Sequence, residues 1–431
     1  MEECLENYSG PFDPRFRIDG LSRAALAVLA REYQLAAHLQ DRVGIPQVLA
    51  RFGTHAMREI AIAEWMGASP VYTQRMQQAL GFAGDTVATI FKGLQLDVGA
   101  PHGFLDFRFH LDERNPQSGE FWLPYCGALM DVEPMGEEMV VGMCHQIEDP
   151  TFDATAVATN PRARVRPIHR PPRVPADRLP HCRWRVQIDA EAAPLEEIPL
   201  TARVRASRLA RLALYQHPAQ LDSGLPDYSG AFDPDLHLED FSRPALGFIA
   251  QEFCVQGHLL VRSFMLAIAE RWGDAMAAEI AAHQFVGIAG LAAERVAAAM
   301  QIGTGLDAIA KLFQLHPALH PRNYVDLHVE RDEQSVRCWI GDCVAFAEGD
   351  PYSWFALLAA SPEPHRALDA VARTIDQQAR CRPLRVDGAR VAWSVVIDPS
   401  AEPLPEPPEV GLAKLSKGAT FRFTARRAPQ P

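Results

Sequence analysis

The heptapeptide YSGPFDP at Tyr8–Pro14 returns as YSGAFDP at Tyr228–Pro234, 220 residues later in the chain. The register between the two stretches then holds with only small shifts. Further residues that match between the first and the second occurrence are Ser22 and Ser242, Glu32 and Glu252, His38 and His258, Gly53 and Gly273, Glu59 and Glu279, Asp106 and Asp326, Cys126 and Cys343, and Trp184 and Trp393. This pattern predicts a tandem duplication of a unit of about 200 residues.

Each unit is predicted to begin with helices and to end with strands. Ser22 is a typical N-cap before the amphipathic stretch AALAVLAREYQLAAHLQ. The apolar period then changes from helical to alternating in GFLDFRFHLD. The other predicted elements of the first unit are helices near 46–66, 70–79 and 85–94, strands at 120–123, 139–143, 164–168 and 182–188, and a helix that Asp149 caps and Pro150 starts.

We therefore expect an α+β fold in which a unit with an N-terminal helical half and a small, mostly antiparallel C-terminal sheet occurs twice, packed as a pseudo-dimer. Half A is residues 1–214 and is the candidate active domain. Residues 215–227 form a loop-like linker, and half B, residues 228–431, is predicted to be a degenerate supporting domain.

The composition is that of a soluble globular protein, with 48% hydrophobic and 22% charged residues among 431. A formal net charge of -12 argues against nucleic acid as a partner. No signal peptide and no run of about eighteen apolar residues is visible, so we expect no membrane partner. The eight cysteines are scattered without a CxxC motif, which favours reduced thiols in a cytoplasmic protein.

The segment GMCHQIEDP at Gly142–Pro150 concentrates possible ligands and nucleophiles. Comparing the halves, Cys144 and His145 have no counterpart in ASPEPHR at 360–366, and His181 and Cys182 are replaced in RVAW at 390–393. Loss of all four from half B indicates either a site specialised to half A or independent drift around ordinary buried thiols.

Two kinds of site fit these residues. The first is a zinc or iron centre built from Cys144 or His145, Cys182 or His181, and Glu148, although the spacing lacks the paired cysteines of structural zinc sites. The second is a reactive thiolate at Cys144, whose pKa would be lowered by His145 and by a following helix N-terminus. Glu148 would be a metal ligand in the first kind of site or a general acid–base.

Arginines crowd the region that follows, and Arg164, Arg166 and Arg170 are candidates for binding a small anionic molecule. The other interpretation is that they pair with carboxylates of this chain. His38 and Glu59, kept in both halves, are interpreted as a buried hydrogen-bonded pair that joins two helices, and as a secondary metal or acid–base candidate together with Cys126.

The layout resembles the L-2-amino-thiazoline-4-carboxylic acid hydrolase-like families, on a helical part followed by an α/β part that carries Cys126, Cys144, Glu148 and Cys182. The tandem arrangement and the adjacent Cys144-His145 pair depart from that pattern. The resemblance implies hydrolysis of a carbon–nitrogen bond in a small carboxylated compound.

Two functions are therefore carried forward. The first is an enzyme that acts on a small carboxylated metabolite by hydrolysis or lyase chemistry at Cys144, His145 and Glu148. The second is a non-catalytic ligand-binding or assembly protein with a structural Cys/His cluster. No Walker, GxGxxG, GxSxG or HExxH motif is present, and the sequence leaves an oligomeric state open.

Overall fold

The computed structural model describes residues 4–214, 223–360 and 366–423. The fold is α+β, as predicted, with long helices and two separate four-stranded antiparallel sheets. Residues 215–222 of the predicted linker and 361–365 of the half B segment matched to GMCHQIEDP lie outside the described residues.

Half A begins with the predicted helix, whose N-cap Ser22 accepts a hydrogen bond from the Ala25 amide. The helices of half A are α1 (Arg23–Leu39), α2 (Asp41–Ala79), α3 (Val87–Gln95), α4 (Gly127–Val132), α5 (Glu137–Val141), α6 (Glu148–Val157) and α7 (Pro199–Ala206). Its strands are β1 (Arg108–Leu111), β2 (Ser118–Leu123), β3 (Ala163–His169) and β4 (Cys182–Ile188).

Half B repeats this order of long helices and then strands. Its helices are α8 (Arg243–Trp272), α9 (Asp274–Ala299), α10 (Gly305–Leu315), α11 (Trp354–Ala360), α12 (Arg366–Ile375), α13 (Pro408–Ala413) and α14 (Lys417–Thr420). Its strands are β5 (Leu327–Arg331), β6 (Val336–Gly341), β7 (Ala379–Pro383) and β8 (Ala389–Ile397). The strand orders, β1-β2-β4-β3 and β5-β6-β8-β7, are equivalent.

Helix α2 joins two stretches that the sequence analysis predicts as separate helices. Pro70 lies inside it and cannot donate a hydrogen bond to the Met66 carbonyl, so the hydroxyl of Thr201 on α7 donates to that carbonyl instead, at 3.0 Å. The break in α2 falls at Gly53, whose φ of 80° favours glycine. Gly273, at φ 86°, separates α8 from α9 at the matching place.

Two predictions for 139–150 are wrong. Residues 139–143 are helical and not a strand, and a π-helical turn at Gly142–Ile147 joins α5 directly to α6. Asp149 is therefore inside a helical run, where it pairs with Arg170, and does not cap a helix. Buried Val140 and Cys144 recur four residues apart, a helical period that outweighs the strand preference of the valines.

The two halves share one core, since α1 and α2 pack along α8. Arg75 of α2 binds Glu252 of α8 at 2.7 Å, and Arg295 of α9 binds Glu32 of α1 at 2.7 Å. All four side chains are at most 8% exposed. Each pair therefore joins one half to the other through residues at matching sequence positions.

The segment that opens each half packs against the other half. Lys311 of half B donates to the carbonyls of Tyr8 and Gly10, both at 2.9 Å. Lys92 of half A donates in the same way to the carbonyls of Tyr228 and Gly230. The opening heptapeptides thus lie against the opposite half, so neither half is complete without the other.

Two helices, Arg243–Trp272 and Asp274–Ala299, are long and apolar enough to cross a membrane by length and composition. Of their most apolar windows, 94% and 67% of the residues are buried inside the protein. Such burial is typical of the core helices of a soluble protein.

Candidate functional site

A cavity of about 390 Å³ lies in half A between the helices and the sheet. Apolar side chains form most of its wall, including the four methionines Met57, Met135, Met139 and Met143. Leu412, Leu415 and Ser416 of half B complete the wall. The cavity is of the size that holds a small molecule.

Three cysteines and a glutamate converge on this cavity from different elements. Cys144 and Glu148 line it from the continuous helical run that contains α5 and α6, Cys126 from the N-cap of α4, and Cys182 from the start of β4. Glu148 is the fourth residue after Cys144, a spacing that places both side chains on one side of a helix. The structure therefore brings together the four residues on which the family resemblance rests.

All three thiols have a pKa above the ordinary cysteine range. Burial is the largest cause in each case, and the Glu148 carboxylate contributes to the raised pKa of Cys144. Burial raises the pKa of Cys182 to about 12. The prediction that its surroundings lower the pKa of Cys144 is wrong, because Cys144 lies inside a helical run and not before a helix N-terminus, and burial favours its neutral form.

Burial, together with the neighbouring Asp149 carboxylate, raises the pKa of Glu148 to about 7. The carboxyl group therefore changes its charge near neutral pH, where a general acid–base works best. Glu148 therefore combines a pKa near neutrality with a position in the cavity wall beside the Cys144 thiol.

We expect Glu148 to make the folded protein less stable as the pH rises. A carboxyl whose pKa is higher in the folded than in the unfolded state holds its proton longer when folded, so the free energy of unfolding falls between about pH 4.5 and pH 7. Urea unfolding from pH 5 to pH 8 should show this fall, and Glu148→Gln should flatten it. An identical slope in wild type and variant would contradict the raised pKa.

A second polar group lines the helical side of the cavity. The Trp65 indole donates to Asp41 at 2.9 Å, and the Tyr72 hydroxyl donates to Asp97 at 2.9 Å. Glu64, fully buried behind Asp41, has no donor to either carboxylate oxygen. Burial raises the pKa of Glu64 well above its usual range and that of Asp97 to about 6, so both carboxyl groups keep their protons to a higher pH than usual.

Arg42 is the one arginine or lysine among the described residues that line the cavity. Its Nε donates to Asp131 at 2.8 Å, and its Nη2 lies 3.3 Å from Nε2 of His38. Asp131 also accepts from the Ser416 hydroxyl at 2.7 Å and from the Lys417 amide at 2.7 Å. Asp131 thereby joins the cavity cation to the C-terminal segment of half B.

At the matching positions, half B keeps Arg262 for Arg42 and His258 for His38 but differs at Asp41, Glu64 and Trp65. When the two halves are aligned with a shift of 220 residues, Val261 matches Asp41, Gln284 matches Glu64 and Phe285 matches Trp65. Trp354 stacks on Phe285 with ring centroids 4.6 Å apart, and a cavity that Trp354 and His258 line measures about 30 Å³. Aromatic packing therefore takes the space beside His258 that stays open beside His38.

The remaining predicted residues lie outside the cavity wall, except His38 and His181, which line it. His145 Nε2 is 2.6 Å from the Pro171 carbonyl oxygen. Arg166 donates to both oxygens of Asp153 at 2.9 Å, Arg170 pairs with Asp149, and Arg164 binds backbone carbonyls. These contacts favour the interpretation that the arginines bind groups of this chain.

The interpretation of His38 and Glu59 as a buried hydrogen-bonded pair is wrong. Glu59 is 38% exposed and pairs with Arg271 of half B, while His38 is buried beside Arg42. Within the ranges 4–214, 223–360 and 366–423, no group of three or more His, Cys, Asp or Glu residues is arranged to hold a metal ion. A zinc or iron site that includes Cys144, His145, Cys182 and His181 stays a prediction.

The chain matches no protein-family model, no curated protein and no solved structure.

Sequence reasoning missed Asp41, Arg42, Glu64, Trp65 and Asp97. The comparison of the two halves contains the signal for four of them, because Asp41, Glu64, Trp65 and Asp97 all change type in half B. These residues are separated along the chain, so the sequence alone does not indicate that the helices bring them together at one cavity.

Proposed function

We propose that the protein is an enzyme that hydrolyses a carbon–nitrogen bond in a small carboxylated compound inside the half A cavity. The observation that carries this proposal is the placement of Cys144 and Glu148 one helical turn apart in the cavity wall, with the pKa of Glu148 raised by burial to about 7. A buried neutral thiol becomes a nucleophile when a neighbouring base removes its proton at the moment of attack.

In the proposed reaction, the Glu148 carboxylate takes the proton from the Cys144 sulfur as the sulfur bonds to the electrophilic carbon. Protonated Glu148 then gives that proton to the leaving nitrogen as the carbon–nitrogen bond breaks. Glu148 next accepts a proton from the attacking water and returns it to the sulfur, so that the thioester is hydrolysed and the thiol is regenerated. The thiols of Cys126 and Cys182, whose pKa values are raised by burial, stay neutral during these steps.

Arg42 is the residue that we assign to the substrate carboxylate, in place of Arg164, Arg166 and Arg170. A guanidinium can bind a second carboxylate beside the one it already holds, and Nη1 makes no hydrogen bond in the described part of the chain. The apolar part of the substrate would pack against the methionines, which adapt to irregular shapes.

We further propose that half B is a duplicated copy of half A that has become its supporting domain. Equivalent strand orders and reciprocal ion pairs at matching positions support a pseudo-dimer of units 1–214 and 228–431. Half B also supplies Leu412, Leu415 and Ser416 to the cavity. All eight cysteines are unpaired, which supports a reducing, cytoplasmic location.

The non-catalytic alternative also has an observation in its favour. Burial keeps the thiols of Cys126, Cys144 and Cys182 neutral, as expected of structural cysteines in a binding cavity. In that case the cavity would bind an apolar molecule without changing it.

The test is turnover of a panel of carboxylated amides and cyclic amidines, followed by release of ammonia or of a new amine. We expect Glu148→Gln to lower kcat by about 10² to 10⁴-fold. The peptide that contains residue 144 should gain the mass of a thioester with amide substrates, or of a thioimidate with amidines, in wild type but not in Cys144→Ala. Cys381→Val is the matched control, because it removes a buried thiol from half B and installs the residue found at the matching Val165.

Full turnover by Cys144→Ala would overturn the proposal. Binding of panel compounds without turnover by wild type, unchanged in Cys144→Ala and Glu148→Gln, would establish the non-catalytic alternative. Elemental analysis of the same samples tests the metal site, which predicts about one equivalent of zinc or iron that Cys144→Ala loses.

A further inference from the structure

A second cleft, of about 370 Å³, lies between the N-terminal segment of half A and the body of half B. The segment Pro14–Ile18 of half A forms one wall. The sheet and helices of half B form the other, with Arg322, His320 and His328 among the lining residues. The cleft shares no lining residue with the half A cavity.

Arg322 is a cation whose described partners are all neutral. Its Nη1 donates to the Leu327 carbonyl at 2.7 Å and its Nη2 to the Gln314 carbonyl at 3.2 Å. Burial is the main reason that the pKa of Arg322 falls to about 10. The guanidinium is held only by carbonyls, with no carboxylate at ion-pair distance among the described residues, so its charge is only partly balanced by the more distant Asp326 and a bound anion would stabilise it.

The matching position of half A shows that the fold does not need this charge. His102 stands there, and its Nε2 lies 2.6 Å from the Gln95 carbonyl oxygen, just as Arg322 binds the carbonyl of the matching Gln314. Burial lowers the pKa of His102 to about 4, so half A has a neutral ring where half B has a permanent cation.

His320 lines the same cleft and contains a buried acceptor without a partner. The side chain is 2% exposed, and its Nε2 donates to the Gln314 carbonyl at 2.7 Å. The proton is therefore on Nε2, which leaves Nδ1 as a lone pair, and that atom has no hydrogen-bond partner. The position matches Ala100 in half A, so this group too is specific to half B.

The two acidic residues that line the cleft are already engaged. Asp326 lies 3.1 Å from His328, and Glu330 pairs with Arg337 at 2.7 Å. His328 stacks on Trp339 with ring centroids 5.0 Å apart, which provides a flat aromatic wall. An incoming anion would meet Arg322 without displacing a carboxylate from it.

We propose that this cleft is a binding site for a small organic phosphate. The phosphoryl oxygens would accept from the Arg322 guanidinium. The volume exceeds what a bare phosphate fills, so the organic part would lie between Pro14–Ile18 and the sheet. This site is independent of the chemistry proposed for half A.

The test uses inorganic phosphate and glycerol 3-phosphate as probes of the full chain, with binding measured by calorimetry at fixed ionic strength. Arg322→His installs the half A residue, and we expect it to weaken both probes at least about tenfold while leaving the circular dichroism spectrum unchanged. Arg322→Lys should keep part of the affinity. The matched control is Arg380→Gln, which removes another arginine held only by carbonyls, outside the cleft.

Melting temperatures give a second measurement that does not depend on calorimetric heats. Phosphate at low millimolar concentration should raise the melting temperature of wild type and of Arg380→Gln, but not that of Arg322→His. An equal rise in the melting temperature of all three proteins would mean that phosphate stabilises them as a general salt effect, and would overturn the proposal. Absence of binding by wild type would overturn it as well.

Discussion

Replacing Arg295 by alanine should lower the free energy of unfolding by about 3–5 kcal/mol, the cost typical of breaking a buried ion pair. The change leaves the Glu32 carboxylate, 8% exposed, without its partner. It also removes the donor to the carbonyls of Gly418, Ala419 and Phe421, which attach the C-terminal segment to the body of the protein. Urea denaturation followed by circular dichroism measures the loss.

The matching change Arg75→Ala should have a similar effect, because Arg75 holds Glu252 together with the carbonyls of Ala210 and Leu212. Arg51→Ala is the control, since its contact with Glu279 also joins the halves but is exposed, and should cost less than about 1 kcal/mol. If Arg295→Ala and Arg51→Ala unfold at the same urea concentration, the buried pairs do not hold the halves together.

The second large effect concerns thiol labelling. Iodoacetamide should modify Cys144 in the folded protein more than about a hundredfold more slowly than in the unfolded chain at pH 8. Burial keeps the pKa of this thiol far above its usual range, and each unit of increase lowers the reactive thiolate fraction about tenfold. The rate should still be rising with pH at pH 10.

Peptide mapping by mass spectrometry assigns the label to each cysteine. Cys4, which is partly exposed, is the internal control and should react much faster than Cys144 at every pH. A rate for Cys144 that equals that of Cys4 and levels off near neutral pH would contradict the neutral thiol, and would restore the thiolate that the sequence analysis predicts.

Local patterns in the sequence were sufficient for much of the fold. The N-cap at Ser22, the strand at Cys182–Ile188 and the α+β class are predicted and confirmed, because each depends on neighbouring residues. The segment 139–150 fails for the same reason: its valines favour a strand locally, but packing of Val140 and Cys144 against Leu129 holds it in a helical run.

The candidate site divides in the same way. Cys144, Glu148, Cys126 and Cys182 can be selected from the sequence because they are reactive residue types, and three of them are matched by other residue types in half B. His145 is adjacent to Cys144 in the chain but does not line the cavity, and its Nε2 donates to the Pro171 carbonyl instead. Adjacency along a helix turns two side chains about 100° apart, so sequence neighbours need not share a site.

By itself, the sequence determined the fold class, the register that relates residues 8–214 to 228–431, and which reactive residues differ between those stretches. Only the tertiary structure decided that the thiols face Asp41, Arg42 and Asp97, and that Leu412 and Leu415 close the same cavity from the opposite half. It also decided that burial keeps the thiols neutral. Desolvation and contacts between distant segments depend on how the chain packs in three dimensions, and no local pattern of residue types encodes them.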